Sequence, residues 1–271
     1  MIVGIMGKAG SGKDTAADML VERFQFVRVA LADPLKRFCE EVFEFTPLQL
    51  WGPSEQRNAP DSRYPRTDLL PAGPPTAIGN TGFTRQPLQR VTADNLSPRY
   101  ALQTLGTEWG RHCYENVWAD YAMRVAHRLL ADDGVKKMYS ARGGLVVYDH
   151  GKLGWDRQQL HLQEQANGSP YVPEALSIAP KGVAIPDVRF KNEVEAIQRA
   201  KGLVVRIVRP GAGLSGDAGR HVSETEQESV PDSSLDYVLK NDGTLEVLEQ
   251  RVAQMVDVLR ARVQPSLNFG L

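Results

Sequence analysis

The chain has only two cysteines, Cys39 and Cys113, and neither lies in a CxxC pair. This excludes a disulfide framework and argues against a structural metal site, which needs clustered thiolates or imidazoles. Cys39 falls in a helical pattern and is expected to be a reduced, half-buried thiol. Charge of one sign is also missing: 32 Lys and Arg stand against 33 Asp and Glu, a formal net charge of −1. Nothing electrostatic therefore recommends nucleic acid or an acidic membrane as a partner. No apolar run approaches the roughly 18 residues of a membrane span. The N-terminus opens directly as apolar strand with no basic leader, so the expected compartment is the cytoplasm. Internal repeats are absent. What remains is ordinary, 42% hydrophobic and 24% charged over 271 residues, enough for one large α/β domain or one domain with insertions.

The most informative stretch is Gly7-Lys8-Ala9-Gly10-Ser11-Gly12-Lys13-Asp14-Thr15, which follows the apolar run Met1–Met6. A strand, a glycine-rich turn and a helix in this order match the phosphate-binding P-loop, G-x-x-x-x-G-K-[ST]. Glycines let backbone N–H groups converge on phosphate oxygens, and the helix N-terminus adds positive partial charge. Lys13 supplies a full, mobile charge for the β- and γ-phosphates of a nucleoside triphosphate. One position departs from the general pattern. Asp14 stands where Ser or Thr is usual, and Thr15 comes one residue late.

Further along, 26–30 reads as a second strand and the residues after Pro34 as a helix. Residues 46–98 carry nine of the 17 prolines and no persistent period, so an irregular excursion is expected there. Regular pattern returns at 97–107 and as a helix over 117–130. Residues 134–181 read as a second irregular segment, with a hairpin around 143–148. Strands are expected at 182–187, 203–208 and 236–239, with helices at 192–200 and 245–263 and a short helix within 225–230. Strands alternating with helices predict a parallel sheet covered on both faces. Trp109, Tyr114 and Trp118 are expected in the core.

Three clusters join the P-loop as candidate chemistry. Asp187 ends a core strand, where α/β sheets place ligand groups, and it could hold Mg²⁺; Arg189, two residues on, could clamp a phosphate. Arg206, Arg209 and Arg220 surround a glycine-rich stretch, which suggests a lid over 209–224 that excludes water. Asp33, Lys36 and Arg37 open the second helix, where the cations could meet an acceptor phosphate and Asp33 could accept from it or cap the helix. Arg111 closes Thr104–Arg111, which offers polar groups and an aromatic surface for a base or phosphate. His221 and Glu224 lack a third close ligand and predict no metal site.

The ordered set Gly7–Thr15, Ala32–Lys36, Leu102–Thr107, Asp187–Glu193 and His221–Glu224 resembles the deoxynucleoside monophosphate kinases of bacteriophages, in which a P-loop ending G-K-D-T is usual. The resemblance runs to about residue 260 and is weak across 53–95 and 140–180. It implies a single P-loop kinase domain over 1–271, with insertions or substrate-covering segments at 46–98 and 134–181. It implies transfer of the ATP γ-phosphate to a dNMP, with Arg189 on the acceptor phosphate and Asp187 ordering Mg²⁺. Asp14 is a second candidate Mg²⁺ ligand, and Lys13, Asp187, Arg209 and Arg220 are the candidate catalytic residues. A homodimer is compatible with this reading. A P-loop kinase of another phosphorylated metabolite, phosphomevalonate-like, and a non-catalytic nucleotide-binding module remain alternatives.

Overall fold

A computed structural model describes residues 1–69, 89–131, 136–139, 145–149, 152–153, 180–213 and 226–263. In chain order the strands are β1 (Ile2–Met6), β2 (Phe26–Arg28), β3 (Asp61–Leu69), β4 (Gln89–Leu96), β5 (Lys136–Tyr139), β6 (Leu145–Asp149), β7 (Lys152–Leu153), β8 (Gly182–Val188), β9 (Leu203–Val208) and β10 (Tyr237–Lys240). The helices are α1 (Lys13–Phe24), α2 (Asp33–Phe43), α3 (Pro47–Trp51), α4 (Ser54–Asn58), α5 (Pro98–Gln103), α6 (Val117–Leu130), α7 (Lys191–Arg199) and α8 (Leu245–Val263), with a π-helical segment at Thr104–Arg111.

Contacts divide the chain into two units, residues 1–34 with 109–271, and residues 35–108. The first unit is built on a five-stranded sheet of order β10-β9-β1-β8-β2, and all its pairings are parallel. β1 is buried along its whole length, and its side chains divide between two apolar layers. Ile2 and Met6 join α6 and α7 on one face. Val3 and Ile5 join α1 and α8 on the other. With both faces buried, β1 carries no polar alternation, which is why it reads as an unbroken apolar run. The α/β sandwich expected from the sequence is the observed one.

Because β1 is the middle strand, its C-terminal end lies between the ends of β8 and β9. Ligands of open α/β sheets collect at such a point. β2 stops at Arg28, although the next amide, Val29, still donates to the Ala184 carbonyl at 2.9 Å. In α8 the residues Leu248, Val252, Met255, Val256 and Leu259 face the core, whereas Leu245 is exposed at the helix start. Trp118 packs against the core, but Trp109 and Tyr114 are 59% and 52% exposed rather than buried. In this unit β5, β6 and β7 form a small antiparallel sheet, which bears out a hairpin near 143–148.

The second unit differs from its expectation. The segment 46–98 holds α3, α4 and an antiparallel β3–β4 pair, so it is not irregular where it is described. Its prolines start elements instead of only breaking them. Pro47 and Pro98 stand in the first turns of α3 and α5, where a missing N–H costs nothing. Thr46 and Gln49 add a reciprocal capping box to α3. A small core of Cys39, Phe45, Leu50 and Ala101 fills this unit. Cys39 is fully buried rather than half-buried, and burial pushes its thiol up to about 12. Among the described residues no helix is long and apolar enough to cross a membrane.

Candidate phosphate-binding site

The loop between β1 and α1 has the backbone that a phosphate cradle needs. The Ser11 amide donates to the Lys8 carbonyl at 3.0 Å, closing the turn, and the Ala16 amide reaches back to Gly12 at 2.9 Å. Gly12 is the residue before α1 and adopts a left-handed conformation, φ +93°. It offers α1 no side-chain cap, so the first-turn amides and the positive end of the helix dipole are left for an anion. Gly12 is required on two counts. Its φ suits a residue without Cβ, and a Cβ would lie 2.3 Å from Nδ2 of Asn241.

Asn241 was not foreseen. It follows β10 and is buried. Its side-chain amide donates to the Ser11 carbonyl at 2.8 Å, while its backbone amide donates to Val208 at 2.7 Å. The sequence signal was faint, a strand ending in the turn-forming run Lys240-Asn241-Asp242-Gly243.

Lys13 is held close in, with 13% of its side chain exposed, and its ammonium lies 3.3 Å from Oδ2 of Asp14. Asp14 has a second cation that sequence reading also missed. Arg28, at the end of β2, donates from Nη2 to Oδ1 of Asp14 at 2.5 Å and from Nη1 to Oδ1 of Asp18 at 3.0 Å. Partial burial pushes the Asp14 carboxyl up, but the charges and hydrogen bonds of Lys13 and Arg28 outweigh it and hold the group below its ordinary range. Asp14 is therefore ionised at neutral pH. Nothing in the local sequence around Arg28 marks it, because the pairing depends on α1 folding back beside β2.

At the end of β8, Asp187 accepts from the backbone amides of Leu31 and Ala32 at 2.9 and 3.0 Å. The buried Asp33 carboxylate accepts from Ala30 at 3.1 Å. Two acids thus pin the turn that follows β2 and lies beside Arg28. The next turn is organised by Glu193, which accepts from the amides of Arg189 and Phe190 at 2.7 and 3.0 Å. Burial pushes the Glu193 carboxyl up to about 7, and those two amides only partly offset it. Arg111 reaches the same turn. Its guanidinium stacks 3.7 Å from the centre of the Phe190 ring and donates to Oδ1 of Asn192 at 2.9 Å. Asp187, Arg189 and Arg111, read separately from the sequence, are thereby brought to one end of the sheet.

The remaining candidates fare differently. The Gly213 amide donates to the Ala9 carbonyl at 2.9 Å, so the start of the glycine-rich stretch touches the P-loop. Arg209 is exposed at that start. Arg206 instead holds the segment before β10, donating to the carbonyls of Gln227 and Val230 and pairing with Asp232. Arg220, the rest of the lid to residue 224, and the His221–Glu224 motif lie outside the described residues. Lys36 and Arg37 lie on α2 in the second unit, where the Lys36 ammonium sits 5.5 Å from the Trp51 ring. Among the described residues no three His, Cys, Asp or Glu side chains converge on a metal position. Asp14 and Asp187 are separate carboxylates, a kind of ligand that fits Mg²⁺, which is usually held by one or two carboxylates, waters and the phosphates of its nucleotide.

A P-loop after the middle strand of a parallel sheet covered on both faces, with an acid at the end of the adjacent strand, defines the P-loop kinase fold. No family model matches the chain. It is 29% identical over 257 residues to a protein of Acanthamoeba polyphaga mimivirus named "Putative deoxynucleotide monophosphate kinase", covering 95% of this chain and 96% of that one. It is 23% identical over 269 residues to the deoxynucleotide monophosphate kinase of Enterobacteria phage T4, covering 95% and 99%. The chain thus resembles the viral deoxynucleotide monophosphate kinases along nearly its whole length.

Proposed function

We propose that the protein transfers the γ-phosphate of ATP to a deoxynucleoside monophosphate, giving a dNDP and ADP. The observation that carries this is the P-loop itself: an uncapped helix start, Lys13 beside it, and Asp187 and Arg189 at the end of the neighbouring strand. The acceptor phosphate is already an anionic nucleophile. One of its oxygens forms the new bond to the γ-phosphorus as the bond to the β–γ bridging oxygen breaks, and ADP carries away that electron pair. No general base is needed, so catalysis reduces to alignment and charge neutralisation.

In this reading residues 7–15 cradle the triphosphate and Lys13 neutralises charge as it moves to the bridging oxygen. Arg189 and Arg111 hold the acceptor phosphate, with Asp33 contributing to acceptor binding. Mg²⁺ supplies charge neutralisation when it arrives with ATP, and Asp14 and Asp187 are the carboxylates that would hold it. Arg209 and Arg220 belong to a lid over 209–224 that excludes water. The chain acts as one kinase domain, with 46–98 and 134–181 as insertions, in the cytoplasm of the cell where it is expressed. A substrate panel tests this. ADP formation from ATP should require a dNMP, and the same protein should be inert with phosphomevalonate. ATP turnover independent of every nucleotide acceptor would refute the reading.

A further inference from the structure

We propose that Arg28 is a charge-compensating positioning residue of the nucleotide site, holding Asp14 so that Lys13 is released to the triphosphate. The inference rests on the ATP-binding reading above. A carboxylate directly after the P-loop lysine creates a conflict that a hydroxyl at that position does not. It competes with phosphate for the Lys13 ammonium, and its charge repels the phosphates themselves.

The structure answers both problems with one side chain. Of the two cations on Asp14, Arg28 is the nearer, at 2.5 Å against 3.3 Å for Lys13. Its other terminal nitrogen is tied to Asp18, one helical turn further along α1. Asp14 and Asp18 stand at i and i+4, so they form a two-point seat on a single helix face. The planar, forked guanidinium spans that seat, which a lysine ammonium cannot do. Arg28 is 20% exposed, and it also feels the charge of Asp187. It comes from β2, which neighbours β8 in the sheet, so the central scaffold fixes its position. Lys13 is thus the cation that can leave Asp14, and Arg28 is the one that stays.

The test is equilibrium binding of ATP in EDTA, where any bridging by Mg²⁺ is removed and only the carboxylate's repulsion remains. The full chain is compared with Arg28→Gln, Arg28→Lys, Asp14→Asn and the double variant Arg28→Gln/Asp14→Asn, each with its melting curve. Arg28→Gln should weaken ATP about 10-fold or more, in line with loss of a charge-assisted contact. The double variant should return to within about threefold of wild type, because the charge needing compensation has gone. Arg28→Lys should fall between, keeping the charge and losing the fork. If Arg28→Gln fails to melt cooperatively, Arg28→Lys with and without Asp14→Asn makes the same comparison. Wild-type affinity in a folded Arg28→Gln, or no recovery in the double variant, overturns the proposal. A wild-type protein that does not bind ATP overturns the nucleotide reading together with it.

Discussion

The side-chain amide of Asn241 donates to the carbonyl of Ser11 at 2.8 Å, tying the end of β10 to the phosphate loop across 230 positions of sequence. Asn241→Ala leaves a buried carbonyl without its donor, which costs about 1–3 kcal/mol. The expected result is a lower melting temperature and a higher KM for ATP, with the acceptor KM unchanged. Equal changes in both KM values would mean that Asn241 supports the fold generally and not the loop.

Lys13→Ala should nearly abolish transfer in a protein that still melts cooperatively. Loss of a group that stabilises charge developing in the transition state costs about 100-fold or more in kcat. Steady-state kinetics beside a thermal melt check this, and a near-normal kcat would remove Lys13 from the mechanism.

Arg189→Ala should raise the KM for the dNMP about 10- to 150-fold, the equivalent of a lost charged contact of roughly 1.5–3 kcal/mol. The KM for ATP should barely move. If the ATP value rises alone, Arg189 serves the donor and the acceptor assignment is wrong.

Asp14→Asn should raise the Mg²⁺ concentration needed for half-maximal activity, with a smaller change in melting temperature. The Asp14 side chain is 57% exposed, so solvent screens its pairing with Arg28, and its contribution to the helix dipole is worth about 0.3–1 kcal/mol. Asp14→Thr should retain substantial activity. A Mg²⁺ titration of Asp14→Asn that overlays wild type would assign the carboxylate to Arg28 and the dipole alone.

Glu193 makes stability depend on pH. Its carboxyl keeps a proton up to about pH 7 when folded, whereas the ordinary value is 4.5. Between those values the unfolded chain binds fewer protons, so stability falls as pH rises through the window, by at most about 3 kcal/mol. Below it the cost is absent, and above it the cost is complete. Glu193→Gln keeps an oxygen for the amides of Arg189 and Phe190 and cannot ionise. It should melt above wild type at pH 8 and level with it at pH 4.5. Parallel melting curves at both pH values would remove Glu193 as the source.

Much of this molecule is written locally. The run from Met1 to Thr15 specifies strand, turn and helix because glycine φ angles, phosphate-facing amides and apolar burial all act over a few residues. The period of Val117–Leu130 and of Leu245–Val263 specifies those helices, since a helix face needs only its own neighbours in sequence to show itself. Where 46–98 is described it is regular for the converse reason: proline density reads as irregular chain, yet Pro47 and Pro98 sit where a helix begins and tolerates them.

The site was legible as its parts and not as its wiring. Lys13, Asp187 and Arg189 each announced themselves by residue type at a strand end or loop. That Asp187 pins Leu31 and Ala32, that Arg28 seats on Asp14 and Asp18, and that Asn241 holds Ser11 followed only from the strand order β10-β9-β1-β8-β2. Parallel strands are joined by helical crossovers, so neighbours in the sheet stand far apart in sequence. Hydrogen bonds and ion pairs reach only about 3–4 Å, and the tertiary structure alone decides which distant side chains come within that range.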